Sequence, residues 1–387
     1  MADSQNYILS QPWQSSPSKY NRCTLFRPIY RRLVISLSTM TRWRRLASWF
    51  ILFWAGLGLS GLLATCEVQQ TLPDGRPERV YLTLSSFAVT KKAHEAIIPL
   101  FVEKWQKEHQ QTVRFRTSYG PSGSQSRAVI DGLEADIVHL SLGLDIDRIA
   151  KAGLIRSDWA TQAPNNSIVT TSVCALITRP GNPKHLQTWQ DLTREGVTFV
   201  TADPKTSGAA RWNFLALWGS VTAVGGTPAQ ARQFVTEAFR HVAVLPRDGR
   251  EATDAFLKQG QGDALINYEN EVILAGLKGQ ALSYTIPKVN VLIQNPIALV
   301  DRYVDKHGTR EVAKAYIDFL FTPEAQKIFA RYGFRPIDAA VLAAHQQQFP
   351  VVPTLFTVAD LGGWETVQRQ FFANGALFDQ IQQENQA

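Results

Sequence analysis

Three stretches of this 387-residue chain put small residues where a strand would end and a helix begin: Gly120-Pro121-Ser122-Gly123-Ser124-Gln125, Asp203-Pro204-Lys205-Thr206-Ser207-Gly208-Ala209-Ala210-Arg211 and Arg247-Asp248-Gly249-Arg250-Glu251-Ala252-Thr253. The first turn of a helix exposes backbone N–H groups without internal partners and carries the positive end of the helix dipole. Gly or Ala there lets an anion reach the backbone, and a Ser hydroxyl adds a donor. Three such starts facing one cleft make an oxyanion site built from neutral dipoles. Taken singly, Ser122 and Ser207 read as ordinary N-caps; the combination argues better, because all three turns lie between strand and helix. Lys205, Arg211 and Arg250 stand where they could pair with an anion directly or sit behind the turns.

Other chemistry is not spelled out. None of the turns fits the Gly-x-x-x-x-Gly-Lys-Ser/Thr phosphate loop, and Gly120-Pro121-Ser122-Gly123 lacks the spacing of a hydrolase elbow. The seven histidines are scattered, without His-Glu-x-x-His or cysteine pairs for zinc. Asp145 and Asp147 are expected to cap the helix that follows rather than to hold a metal. Cys174 lies in the apolar run Ser172–Ile177 with no histidine near it in sequence, and reads as a core thiol. No catalytic residue, cofactor or metal is expected.

The turns need a scaffold, and apolar patterning supplies one. Residues 80–87, 113–117, 135–142, 172–179, 197–202, 242–245 and 263–268 are strand-like. Helical spacing falls between them at 90–109, 123–131, 145–152, 209–219, 228–239 and 250–259, with Pro99 predicted to kink or interrupt the first. Such alternation implies α/β architecture with mostly parallel sheets, and two rounds of it imply two lobes with a ligand cleft between them. Two helices, 311–321 and 323–332, close the pattern, followed by an amphipathic stretch and a Gln-rich tail expected to fray.

Composition is that of a globular chain: 45% hydrophobic, 19% charged, with material for two cores. The net charge of +7 belongs to residues 1–45, which hold eight basic side chains and one acidic; the rest is balanced, which removes the case for nucleic acid. After Arg42, Arg44 and Arg45 comes the uncharged run Leu46–Thr65, ending at Cys66. These are the parts of an export signal, and the run is also long enough for a retained anchor. Leu63-Ala64-Thr65-Cys66 resembles a lipoprotein cleavage box in which Cys66 carries the lipid, and Met40 makes a compact alternative start. The expected location is the periplasm, free or tethered through Cys66 or an uncleaved helix.

With those residues in place, the chain resembles the periplasmic sulfate-binding proteins that feed ABC transporters. Asp203-Pro204-Lys205-Thr206-Ser207-Gly208-Ala209-Ala210-Arg211 is similar to the family's Asn-Pro-Lys-Ser/Thr-Ser-Gly-x-Ala-Arg signature except at its first position. Ser86–Thr90, Gly120–Gln125, Gly132–Asp136, Arg179–Lys184, Arg211-Trp212-Asn213, Gly262–Ile266 and Gly362-Gly363-Trp364 match in order and spacing, over roughly residues 80–380. The resemblance implies a two-lobed periplasmic-binding-protein fold of type II, with residues 1–65 as leader, 66–79 as linker, 80–174 plus about 270–350 as lobe I, 175–269 as lobe II and 351–387 as a C-terminal segment.

By position it implies oxyanion contacts from Ala88, Ser122, Ser207, Gly208, Ala209, Gly249 and Tyr268. Tyr268 stands where sulfate binders have Trp, so a hydroxyl that can also accept replaces a group that only donates. The implied ligand is sulfate, with thiosulfate as the nearest alternative, then molybdate or phosphate; the implied partners are permease subunits, for a monomeric chain. A membrane-tethered anion sensor is the reading from another class.

Overall fold

The computed structural model describes residues 71–72, 75–280 and 282–386. The expectations for the leader, Met40 and Cys66 lie outside them. In chain order the elements are β1 (Arg79–Phe87), α1 (Lys91–His109), β2 (Thr112–Gly120), α2 (Ser122–Ile130), β3 (Ile137–His139), α3 (Gly143–Lys151), β4 (Ile168–Ser172), β5 (Cys174–Thr178), β6 (Phe199–Val200), α4 (Gly208–Thr222), α5 (Pro228–Arg240), β7 (Val242–Val244), α6 (Gly249–Leu257), β8 (Ala264–Tyr268), α7 (Glu269–Leu277), β9 (Ser283–Thr285), β10 (Val289–Val291), β11 (Ile293–Leu299), α8 (Asp301–His307), α9 (Arg310–Leu320), α10 (Pro323–Arg331), β12 (Arg335–Pro336), α11 (Ala339–Ala344), β13 (Thr354–Phe356), α12 (Gly363–Val367) and α13 (Leu377–Gln386). α1 continues without interruption past Pro99. That residue is exposed, so the carbonyl its missing N–H leaves open can turn to water.

Two sheets hold the fold, in the orders β12-β4-β11-β3-β1-β2 and β7-β6-β8-β5-β9. β1 pairs in parallel with β2 over its whole length and with β3, while β6 pairs in parallel with β7 and β8. The strands that take part in crossing between sheets, β4, β5 and β11, join their neighbours antiparallel, so both sheets are mixed. The parallel strands are the ones that end in the predicted turns.

The run read as one strand at 172–179 is two. β4 ends at Ser172 in the first sheet and β5 begins at Cys174 in the second, with Val173 between. The chain returns along β9, β10 and β11; because β9 pairs with β5, the return comes after Thr285 rather than near 270. Asn290 ties the crossings together by accepting the N–H of Cys174 (3.0 Å) and donating to its carbonyl (2.8 Å). Beside it the N–H of Glu269 reaches the carbonyl of Val173 (3.0 Å).

The C-terminal segment is ordered structure. β13 pairs in parallel with β10 beside the crossings, and the tail expected to fray forms α13, which packs on α5. Its Leu377, Phe378 and Ile381 are buried, and Phe371, Phe372 and Phe378 surround Phe214 of α4. Burying a Leu, Ile or Phe side chain contributes about 1.5–3 kcal/mol, which exceeds the order a Gln-rich surface loses.

Candidate functional site

The three turns open helices as their composition demands. α2 starts at Ser122 directly after β2, behind Pro121; α4 starts at Gly208 with Ser207 as N-cap, its hydroxyl accepting the Ala210 N–H at 3.3 Å; α6 starts at Gly249 with Asp248 accepting the N–H groups of Arg250 (2.8 Å) and Glu251 (2.9 Å). The Ser207 cap serves the third residue of α4, and the Asp248 cap serves the second and third of α6. The leading N–H groups, those of Gly208, Ala209 and Gly249, have no carbonyl one turn earlier to accept them.

Close approaches bring the helix starts together. A Cβ on Gly123 would stand 3.2 Å from the carbonyl oxygen of Thr206, and one on Gly249 would stand 3.3 Å from Cβ of Ala209. Thr206 in turn donates to the carbonyl of Arg247 (2.8 Å). Tyr268, buried at the end of β8, shares a 2.6 Å hydrogen bond with the hydroxyl of Ser141, and its ring lies 6.3 Å from that of Phe87, the residue before Ala88. Ala88 opens a short turn, Ala88–Thr90, packed on α6. All seven predicted positions therefore converge between the two sheets, with Ala88 and Ser122 on the first and the other five on the second.

The basic side chains do not join them. Lys205 pairs with Asp379 (2.6 Å), and Arg250 pairs with buried Glu271 (2.8 Å). Arg211 donates to the carbonyl of Pro204 (2.8 Å) and to Oε1 of Gln368 (3.2 Å). Burial brings its guanidinium down to about 10, so it remains charged at neutral pH.

Behind the turns lies a polar framework that local sequence does not announce. Asp145 does not cap α3. Fully buried, it accepts the Ser122 hydroxyl at 2.7 Å and the Arg148 guanidinium at 3.1 Å, while Asp147 accepts the indole N–H of Trp159 (2.9 Å). The Ser122 hydroxyl is thus committed, and that turn offers its backbone. Arg148 reaches Gln368 (3.1 Å), so one C-terminal amide oxygen serves an arginine from each side of the cleft. Asn267 donates to the carbonyl of Gly249 (2.6 Å) and to Thr253 (3.0 Å), which pins the α6 start against β8. Ser141, Asn267 and Gln368 were missed. Asn267 and Ser141 sit at the ends of strands that the pattern did reveal, which was the available signal.

Two sheets joined by paired crossing strands, with helix N-termini gathered between them, define a two-lobed solute-binding protein. The chain belongs to the bacterial extracellular solute-binding protein family, whose profile matches residues 82–335. It is 56% identical over 319 residues to the sulfate-binding protein of Synechococcus elongatus, covering 81% of this chain and 90% of that one. A thiosulfate-binding protein of Pseudomonas aeruginosa is 38% identical over 305 residues, with 78% and 91% covered. Among solved structures, the sulfate-binding protein SubI from Mycobacterium tuberculosis H37Rv superposes with a TM-score of 0.70 at 39% identity, covering 76% of this chain and all of that one. No helix among the described residues is long and apolar enough to cross a membrane.

Proposed function

We propose that this chain is the exported substrate-binding protein of an ABC transporter, which captures inorganic sulfate with neutral donors and delivers it to a membrane permease. The observation that carries the reading is the convergence of three helix N-termini on one cleft while Lys205, Arg250 and Arg211 are all held by protein partners. Donors come from the backbone of Ala88, Ser122, Gly208, Ala209 and Gly249 and from the hydroxyls of Ser207 and Tyr268. Sulfate has no proton near neutral pH, so a site of donors satisfies it, whereas hydrogen phosphate brings a proton that needs an acceptor. Charge-assisted hydrogen bonds, each stronger than a neutral one, offset the desolvation of the dianion.

In this reading lobe I is built on β1–β4 and β11, lobe II on β5–β9, and closure at the paired crossings seals the anion in. Thiosulfate, which shares sulfate's charge and three of its oxygens, is the second ligand, favoured by the relative of that name. The working place is the periplasm, with Cys66 or the apolar leader as a tether to the membrane that holds the permease.

Isothermal titration of the purified protein with sulfate, thiosulfate and nitrate tests the proposal. Sulfate binds 1:1, and Ser207→Ala lowers its affinity by about tenfold, the effect of one hydrogen bond to a charged group. An absence of binding to both sulfur anions refutes it.

A further inference from the structure

The hydroxyl of Tyr268 can accept as well as donate, which would open the site to a protonated anion unless something occupies its oxygen. Ser141 is in position to do so. Its Oγ lies 2.6 Å from Oη of Tyr268, across the cleft, and both residues are buried. The serine is held rigidly: its N–H donates to Oγ of Ser122 (3.0 Å), and its carbonyl accepts from the indole of Trp212 (3.0 Å) and from Asn295 (3.4 Å). Its Oγ also packs against the start of α4, since a Cβ on Gly208 would fall 2.4 Å from it.

Either hydroxyl could donate in the shared bond, and the two directions differ in which proton is left for a ligand. Neither hydroxyl has another hydrogen-bond partner among the described residues. If Tyr268 donates to Ser141, the serine proton is left buried without a protein acceptor among the described residues. If Ser141 donates to Tyr268, the phenolic proton is free for a ligand oxygen and every proton is used once the anion is in place. A hydroxyl that accepts one hydrogen bond also becomes a better donor of the next.

We propose that Ser141 is a specificity-determining positioning residue: by donating to Tyr268 it makes the phenol a donor only, and so excludes monoprotonated tetrahedral oxyanions such as hydrogen phosphate. The inference rests on the sulfate reading above. Hydrogen phosphate entering this site would have to turn the Tyr268 proton back toward Ser141 and orphan the serine proton. Removing the serine hydroxyl removes that obstacle and frees the phenolic oxygen to accept.

The test is titration of the full protein with sulfate and with inorganic phosphate near pH 8, for the wild type, Ser141→Ala, Ser141→Thr and Tyr268→Phe, each checked by thermal unfolding. In Ser141→Ala the preference for sulfate over phosphate falls by about tenfold or more, through weaker sulfate binding and measurable phosphate binding. Ser141→Thr, which keeps the hydroxyl, retains the wild-type preference. Adding Ser141→Ala to Tyr268→Phe changes sulfate affinity no further. An unchanged preference in Ser141→Ala, with both anions weakened equally or phosphate still not bound, overturns the proposal and leaves Ser141 a packing residue. Failure of the wild type to bind sulfate refutes the parent reading instead.

Discussion

Two buried polar regions of this molecule solve opposite problems. Between the lobes, the turns at Ser122, Gly208 and Gly249 present donors that do not titrate, with charged side chains drawn back onto protein partners. Within the first lobe, His94 joins Tyr316 (2.8 Å) and His139 (2.9 Å) in a sealed core under Phe329 and Phe87, and Nε2 of His139 has no partner among the described residues. Burial holds His94 down to about 3, and burial together with its neighbour His94 holds His139 well below its usual value. The cleft is built to receive charge and the histidine core to exclude it, so pH separates them.

The largest expected effect follows from that contrast. Below pH 6.5 the unfolded chain takes up protons on His94 and His139 that the folded chain refuses, so stability present above 6.5 is lost as pH falls toward the folded values. Each histidine contributes a slope approaching about 1.4 kcal/mol per pH unit. Burial pushes the carboxyls of Glu269 and Glu271 up, which acts in the opposite direction, so the comparison is made against His94→Gln. Chemical denaturation at pH 7.5 and 5 shows a loss of a few kcal/mol in the wild type and a smaller one in the variant. Sulfate affinity measured on the folded protein over the same range stays within about twofold, because neither the donors nor the dianion titrate there. A parallel decline of affinity would mean that an ionising group faces the anion.

The next effect tests how closely the lobes approach. Gly208 has helical backbone, so Ala costs nothing in conformation, but its Cβ would stand 2.6 Å from Cβ of Ser141 as well as 2.4 Å from Oγ. Rotation of the serine relieves only the second contact. Gly208→Ala therefore holds the lobes apart and lowers sulfate affinity by about a hundredfold, with little change in unfolding temperature. Equal loss of stability would place the clash within one lobe rather than across the cleft.

The strength of the strand–turn–helix pattern explains what the sequence reveals. Val80, Leu82 and Leu84 alternate inward along β1, and Ser207 and Asp248 precede helices as caps, because these features are set by neighbours in the chain. Ser141, Asn267 and Gln368 act on residues that are distant in sequence or on another element, so the strand ends that hold Ser141 and Asn267 mark their place but not their partners. The division of residues 172–179 at Val173 was hidden for the same reason: a continuous apolar run looks alike whether one sheet or two receive it. The tail misled through composition, since its glutamines outnumber the three apolar residues that anchor it.

The smallest effect decides between dipoles and charges. Lys205 is adjacent to the α4 turn in sequence, and its ammonium could serve as a direct counter-ion if the cleft were charge-driven. It instead bridges Asp379 (2.6 Å) on α13 and approaches the carbonyls of Phe372 (3.4 Å) and Ala373 (3.5 Å), which fastens the C-terminal segment to the second lobe. Lys205→Gln is therefore expected to leave sulfate affinity within about twofold, since a partly exposed pair contributes about 1 kcal/mol or less and to packing rather than to binding. The accompanying signature is faster hydrogen exchange in α13, where Asp379 has lost its partner. If the variant loses tenfold in affinity with α13 protection intact, Lys205 acts on the anion itself and the separation of the cleft from charged side chains fails at its closest test.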